Sequence, residues 1–123
     1  MKLDEQKVEA FLERFMGDLA AAAHAATVTV GEKLGLYKAM AEGPQTPAEL
    51  ATRTGCEARL VEEWVIAQAV SDYCVHDPDT DRYYLTPEQA FCLADDTSPA
   101  YVAGQMGLAV ALHKDEELSL IHI

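Results

Sequence analysis

Asp77, Asp79, Asp81 and, at the twelfth position, Glu88 fall at the spacing by which a calcium loop places its oxygen ligands. The match stops there. The sixth position, which such a loop needs as glycine, is Arg82; Pro78 stiffens the second, and Tyr83 to Leu85 read as a strand. The acidic residues read as a solvated turn, and no metal site is expected. A second chemistry would be base recognition by Arg59 and Gln68 on a helix. Contact with a duplex requires cations for phosphates and polar side chains for base edges. Residues 46–71 set Arg53 and Arg59 against Glu49, Glu57, Glu62 and Glu63, and residues 72–86 set Arg82 against Asp72, Asp77, Asp79 and Asp81. Both segments should repel DNA.

No constellation supplies catalysis. His24 interrupts a run of alanines and reads as a helix-interface residue, His76 borders a turn, and His113 lies near a helix end. His122 belongs to an atypical tail. None has a Ser, Cys or carboxylate at a triad spacing, and no phosphate-binding glycine loop or H-E-x-x-H occurs. Cys56, Cys74 and Cys92 are odd in number and widely spaced, which argues against a disulfide framework or a zinc site and suits a reducing cytoplasm. No catalytic, cofactor-binding or metal-ligating residue is assigned.

The elements around these residues follow from period and punctuation. Val8, Phe11, Leu12, Phe15, Met16 and Leu19 recur at helical spacing, and Ala20 to Ala26 continues with small residues that let another helix approach closely. Val28 to Met40 extends the apolar pattern to Gly43-Pro44, with Gly31 and Gly35 favouring a break. Whether residues 4–42 are one helix or two stays open. Thr46 caps a short helix, Pro47–Thr54, that presents Leu50 and Ala51 inward and stops at Gly55. A longer helix from about Glu57 to Ser71 follows, with Trp64 as a core plug. Two helices joined by a tight glycine turn form a helix-turn-helix. Tyr73–His76 and Arg82–Leu85 then read as strands around Asp77 to Asp81, which makes a wing. Thr86-Pro87 starts a helix to Ala94, and Ser98-Pro99 one to about Glu117.

The fold class is therefore mainly α: a winged helix-turn-helix with extra N- and C-terminal helices and a two-stranded wing. A chain of 123 residues, half of them apolar, fits one compact domain, and a net charge of −12 disfavours nucleic acid and anionic membranes as partners. The apolar run Leu19–Val30 is too short to span a bilayer.

The segments E-K-L-G-L-Y-K-A-M-A-E-G-P-Q-T-P-A-E-L-A-T-R-T-G, R-L-V-E-E-W-V-I-A-Q-A and D-P-D-T-D-R-Y-Y-L-T-P-E-Q-A resemble the N-terminal region of bacterial class I S-adenosylmethionine-dependent methyltransferases, a group often labelled transcriptional regulators. The resemblance covers about residues 8 to 117. It implies a domain for homodimer contact and for covering a substrate site, with S-adenosylmethionine bound by a separate Rossmann-like domain whose glycine-rich motif is not in this chain. The expected organisation is residues 1–42 as dimerisation helices, 43–94 as the winged helix, and 95–117 as a linking helix. Residues 118–123 resemble a translated sequencing adapter, so the natural frame is expected to diverge near residue 117. The expected function is a dimerisation and substrate-lid module, cytoplasmic and not catalytic alone, with a DNA-binding regulator as the alternative. Phe11, Phe15, Leu19, Ala22 and Ala26 are the expected dimer contact, because one small winged helix cannot bury that much apolar helix surface.

Overall fold

The computed structural model describes residues 2–105. The expected helix beyond residue 105, with His113, His122 and the segment 118–123, lies outside the described residues. Seven elements follow in order: α1 (Glu5–Lys33), α2 (Leu36–Met40), α3 (Pro47–Thr54), α4 (Ala58–Val70), β1 (Val75–Asp77), β2 (Arg82–Tyr84) and α5 (Pro87–Leu93). This is the mainly helical winged helix-turn-helix that the sequence implied.

The break expected near two glycines falls at only one of them. Gly35 takes a left-handed φ of 72° between α1 and α2, a conformation that glycine adopts without strain. Gly31 stays helical because it serves packing: it lets the Trp64 and Tyr37 rings come against the α1 backbone. Residues 4–42 are thus a 29-residue helix and a short second one.

The helix-turn-helix is built as its caps predict. The Thr46 hydroxyl accepts from the Glu49 amide at the start of α3, and Gly55 ends that helix at a φ of 70°. Leu50 and Ala51 are buried, as are Val61, Trp64 and Val65 of α4. The core also takes in Val28 of α1 and Leu36, Tyr37 and Met40 of α2.

The wing pairs Val75 with Tyr84, His76 with Tyr83 and Asp77 with Arg82, antiparallel. The strands are shifted from expectation. Tyr73 and Cys74 precede β1, while Asp77 lies inside it. Gln45 adds a bridge to Tyr83, each amide bonding the other's carbonyl, so the loop before α3 pins the wing to the body. Thr86 opens α5 with a full capping box through Gln89.

After α5 the chain departs from the expected helix start at Ser98-Pro99. The Asp95 carboxylate accepts from both the amide and hydroxyl of Thr97, and Ser98 bonds onward to Ala100, so these residues turn instead. Helix appears at residues 103–105, with Ala103 buried.

Candidate functional site

The feature that sets this chain apart from a self-contained winged helix is α1. Its C-terminal third docks on the body through Val28 and Gly31, while every described residue before His24 is exposed. At about 1.5 Å per residue, that leaves roughly 28 Å of helix projecting from the domain. The projecting part carries a large apolar face beside its charged one. Phe11 is 67% exposed, Phe15 54% and Leu19 53%, and Leu12 and Met16 are similarly open. Ala22 and Ala26 are exposed on the same face. All five residues expected at a dimer contact therefore lie on one uncovered stripe.

A buried polar chain holds α1 to the body. The Tyr37 hydroxyl donates to Gln68 Oε1 at 2.5 Å, and Gln68 Nε2 donates to Thr27 Oγ1 at 2.8 Å. Trp64 Nε1 donates to the Thr27 carbonyl at 2.8 Å. Unlike a pair of apolar contacts, this network fixes one angle of approach, because a buried amide left unpaired costs about 1–3 kcal/mol. Gln68 is fully buried in it. It is thus unavailable to base edges, which corrects the reading that placed it beside Arg59 as a candidate contact. Buried, partnered glutamine and exposed glutamine look alike in sequence.

His24 sits where the docked and projecting parts of α1 meet. Its ring packs edge-on against Tyr73 with centroids 4.3 Å apart, and Nδ1 lies 3.3 Å from Thr27 Oγ1. Nε2 is buried without a partner. Burial lowers the His24 pKa from the ordinary 6.5, because the charged ring would lose water without gaining an acceptor. Above pH 6.5 the folded and unfolded chains both carry it neutral. Below that value the unfolded chain takes up a proton first, so stability is lost as pH falls and levels off below the lowered folded pKa. The urea midpoint should therefore drop between pH 7.5 and 5.5, and the drop should be smaller in His24→Gln. Equal slopes in the two proteins would remove His24 as the cause.

The face that would meet DNA is neutralised by its own carboxylates. Arg53 pairs with Glu42, Arg59 with Glu63 at 3.5 Å, and Arg82 with Glu49 at 3.1 Å. In the wing, Asp77 accepts from the Asp79 amide and the Thr80 hydroxyl, both at 3.0 Å, and Asp81 faces His76 at 2.9 Å. The Asp77 and Asp81 carboxylates are thus spent on shaping the turn, and Asp81 takes a left-handed φ of 53° there. Glu88 sits in the first turn of α5. Among the described residues no His, Cys, Asp or Glu group is placed to hold a metal ion, and no helix is long and apolar enough to cross a membrane.

Sequence reasoning did not find the groove beside the stripe. Ala26, Val30, Leu60, Trp64 and Ala67, with Thr27 and Glu63, line a mostly apolar hollow between α1 and α4. Its signal was Leu60, which is apolar but 42% exposed on a helix whose buried face already has Val61, Trp64 and Val65.

The fold has solved counterparts among methyltransferases. CalO1, a methyltransferase in calicheamicin biosynthesis solved with SAH, is 29% identical, with a TM-score of 0.61 over 85% of this chain and 29% of its own. The mitomycin 7-O-methyltransferase MmcR is 26% identical, with a TM-score of 0.65 over 80% of this chain and 30% of its own. An O-methyltransferase family protein from Burkholderia thailandensis, 14% identical, shares the fold alone, with a TM-score of 0.65 over 95% of this chain and 32% of its own. The chain thus spans about a third of the length of these structures. No curated protein matches it by sequence. A family model covers residues 22–95, which takes in the docked end of α1, the helix-turn-helix, the wing and α5. On that match over more than half of its length, the chain belongs to the Rv2258c-like winged HTH domain family.

Proposed function

We propose that this chain serves as the N-terminal dimerisation and substrate-lid module of a cytoplasmic S-adenosylmethionine-dependent methyltransferase and is not catalytic alone. The observation that carries the reading is the bare apolar stripe of α1 on a body whose fold recurs in methyltransferases. A contiguous exposed apolar patch of this kind marks an interaction surface. A second copy covers it at the lowest cost in new surface, since a two-fold axis makes one patch complementary to itself.

The methyl donor does not fit the described residues. A nucleotide-like cofactor needs a strand, a glycine-rich turn and a helix N-terminus. Here the one described sheet is an antiparallel hairpin, and the glycines with positive φ, at 35, 43 and 55, cap helices or shape a loop. The small-molecule acceptor and the donor would belong to the parent enzyme, for which this module would supply a wall and a partner.

Sedimentation of the chain tests the reading: a dimer is expected at high micromolar concentration, and a well-folded monomer there would overturn the dimerisation role. The winged helix itself favours a second reading, a DNA-binding regulator. Tight binding to duplex DNA that weakens steeply with salt would establish it over ours. The arginine–carboxylate pairs of α3, α4 and the wing lead us to expect weak, shallow binding.

A further inference from the structure

Val8, Leu12, Phe15, Leu19, Ala22 and Ala26 recur at alternating steps of four and three, the seam of a two-helix coiled coil. All six are exposed, while Val28 and Gly31, which seat α1 on the body, lie on the opposite side of the helix. The helix therefore has a second face to give. That seam is graded, bulky from Val8 to Leu19 and small at Ala22 and Ala26. At its small end it runs into the α1–α4 groove, a hollow of about 270 Å³ shared by Ala26, Val30, Leu60 and Trp64.

Resting on the dimerisation reading above, we propose that two copies pair their α1 helices antiparallel in one register. Val8 of each copy faces Ala26 of the other, Leu12 faces Ala22, and Phe15 faces Leu19. The outer layers then set Val8 or Leu12 against an alanine and the central layers pair Phe15 with Leu19, so no layer is alanine on alanine or phenylalanine on phenylalanine, which suits close packing. A parallel pair would stack Phe15 on Phe15 and Ala22 on Ala22, crowded toward one end of the seam and hollow at the other. It would also leave the groove open.

The antiparallel register brings the N-terminal turns of one copy, with Leu3 and Val8, onto Val30 and Leu60 of the other. Area supports a second copy as the occupant. Ala22 and Ala26 are small and the other four are about half exposed, so the six seam side chains of two helices bury on the order of 900 Å², short of a specific interface by themselves. Adding the groove carries the contact into the ordinary range. One consequence is that the N-terminal half of α4, the helix that reads DNA in other winged helices, is covered by protein.

Cysteine pairing tests the register. Val8→Cys and Ala26→Cys are made in separate chains and together, with Cys56 and Cys92 replaced by Ser and the buried Cys74 kept. Positions 8 and 26 lie about 27 Å apart on one helix, so any link between them joins two copies. Mild oxidation followed by peptide mass mapping should give 8–26 links in the mixture and in the double variant, and no links in either single variant. Links of 8–8 or 26–26, or a dimer with no links, would overturn the register while leaving dimerisation intact. A folded monomer in sedimentation would overturn both. Leu60→Asp, an exposed position, should raise the dimer dissociation constant at least tenfold with the helical signal intact. An unchanged constant would remove the groove from the contact.

Discussion

Gly31→Ala should destabilise the folded chain by about 2–3 kcal/mol, whereas Gly17→Ala, in the same helix, should stabilise it by up to about 1 kcal/mol. A Cβ at residue 31 would overlap Trp64 Cζ2 and lie 2.8 Å from Tyr37 Cε2. Neither ring can simply move aside. Trp64 is held by its bond to the Thr27 carbonyl, Tyr37 by its bond to Gln68, and the two rings pack edge-on with centroids 5.0 Å apart. The substitution therefore forces either a broken buried bond or a shift of α1 away from α4. At Gly17 nothing lies within 4 Å, so only the intrinsic gain in helix propensity is felt. Urea unfolding at one protein concentration checks the pair. If both variants shift the same way, Gly31 is not a packing glycine.

Phe15→Glu should weaken self-association at least a hundredfold, about 2.7 kcal/mol, while leaving the thermal unfolding of the body nearly unchanged. Phe15 is half exposed and far from the buried core in the single chain, so its replacement removes nothing that holds the winged helix together. In a paired α1, two glutamates would enter an apolar seam, one from each copy, with no cation placed to meet them. Sedimentation should then report a folded monomer at concentrations where the unaltered chain is a dimer. A variant that stays dimeric would mean that the copies meet elsewhere, and one that unfolds would mean that α1 supports the body more than its exposure implies.

These two positions mark where sequence was informative and where it was not. The Thr46-Pro47 and Thr86-Pro87 helix starts, the Gly55 turn and the wing were all legible, because caps and turns are local and each rests on a few adjacent residues. The stripe from Phe11 to Ala26 was legible as a periodic pattern. Gly31 and Gly35 were indistinguishable in that way, although one packs under an indole and the other bends the chain. Gln68 was equally ambiguous, since a polar residue on a helix carries no mark of which side it faces once the neighbouring positions are apolar as well. Ser98-Pro99 misled because a side-chain turn set by Asp95 outcompeted a good local helix start.

The sequence by itself determined the winged helix-turn-helix, its order of elements and the excess of carboxylates over arginines along its recognition surface, because these follow from local periodicity, capping and charge. Only the tertiary structure decided which face of each helix remained free. It turned Gln68 inward to lock α1, paired each arginine of α3, α4 and β2 with a carboxylate, and left the heptad seam of α1 in water beside a groove that α4 completes. Burial is a property of distant residues brought together, here Gly31 with Trp64 and Thr27 with Gln68, and no run of adjacent residues records it.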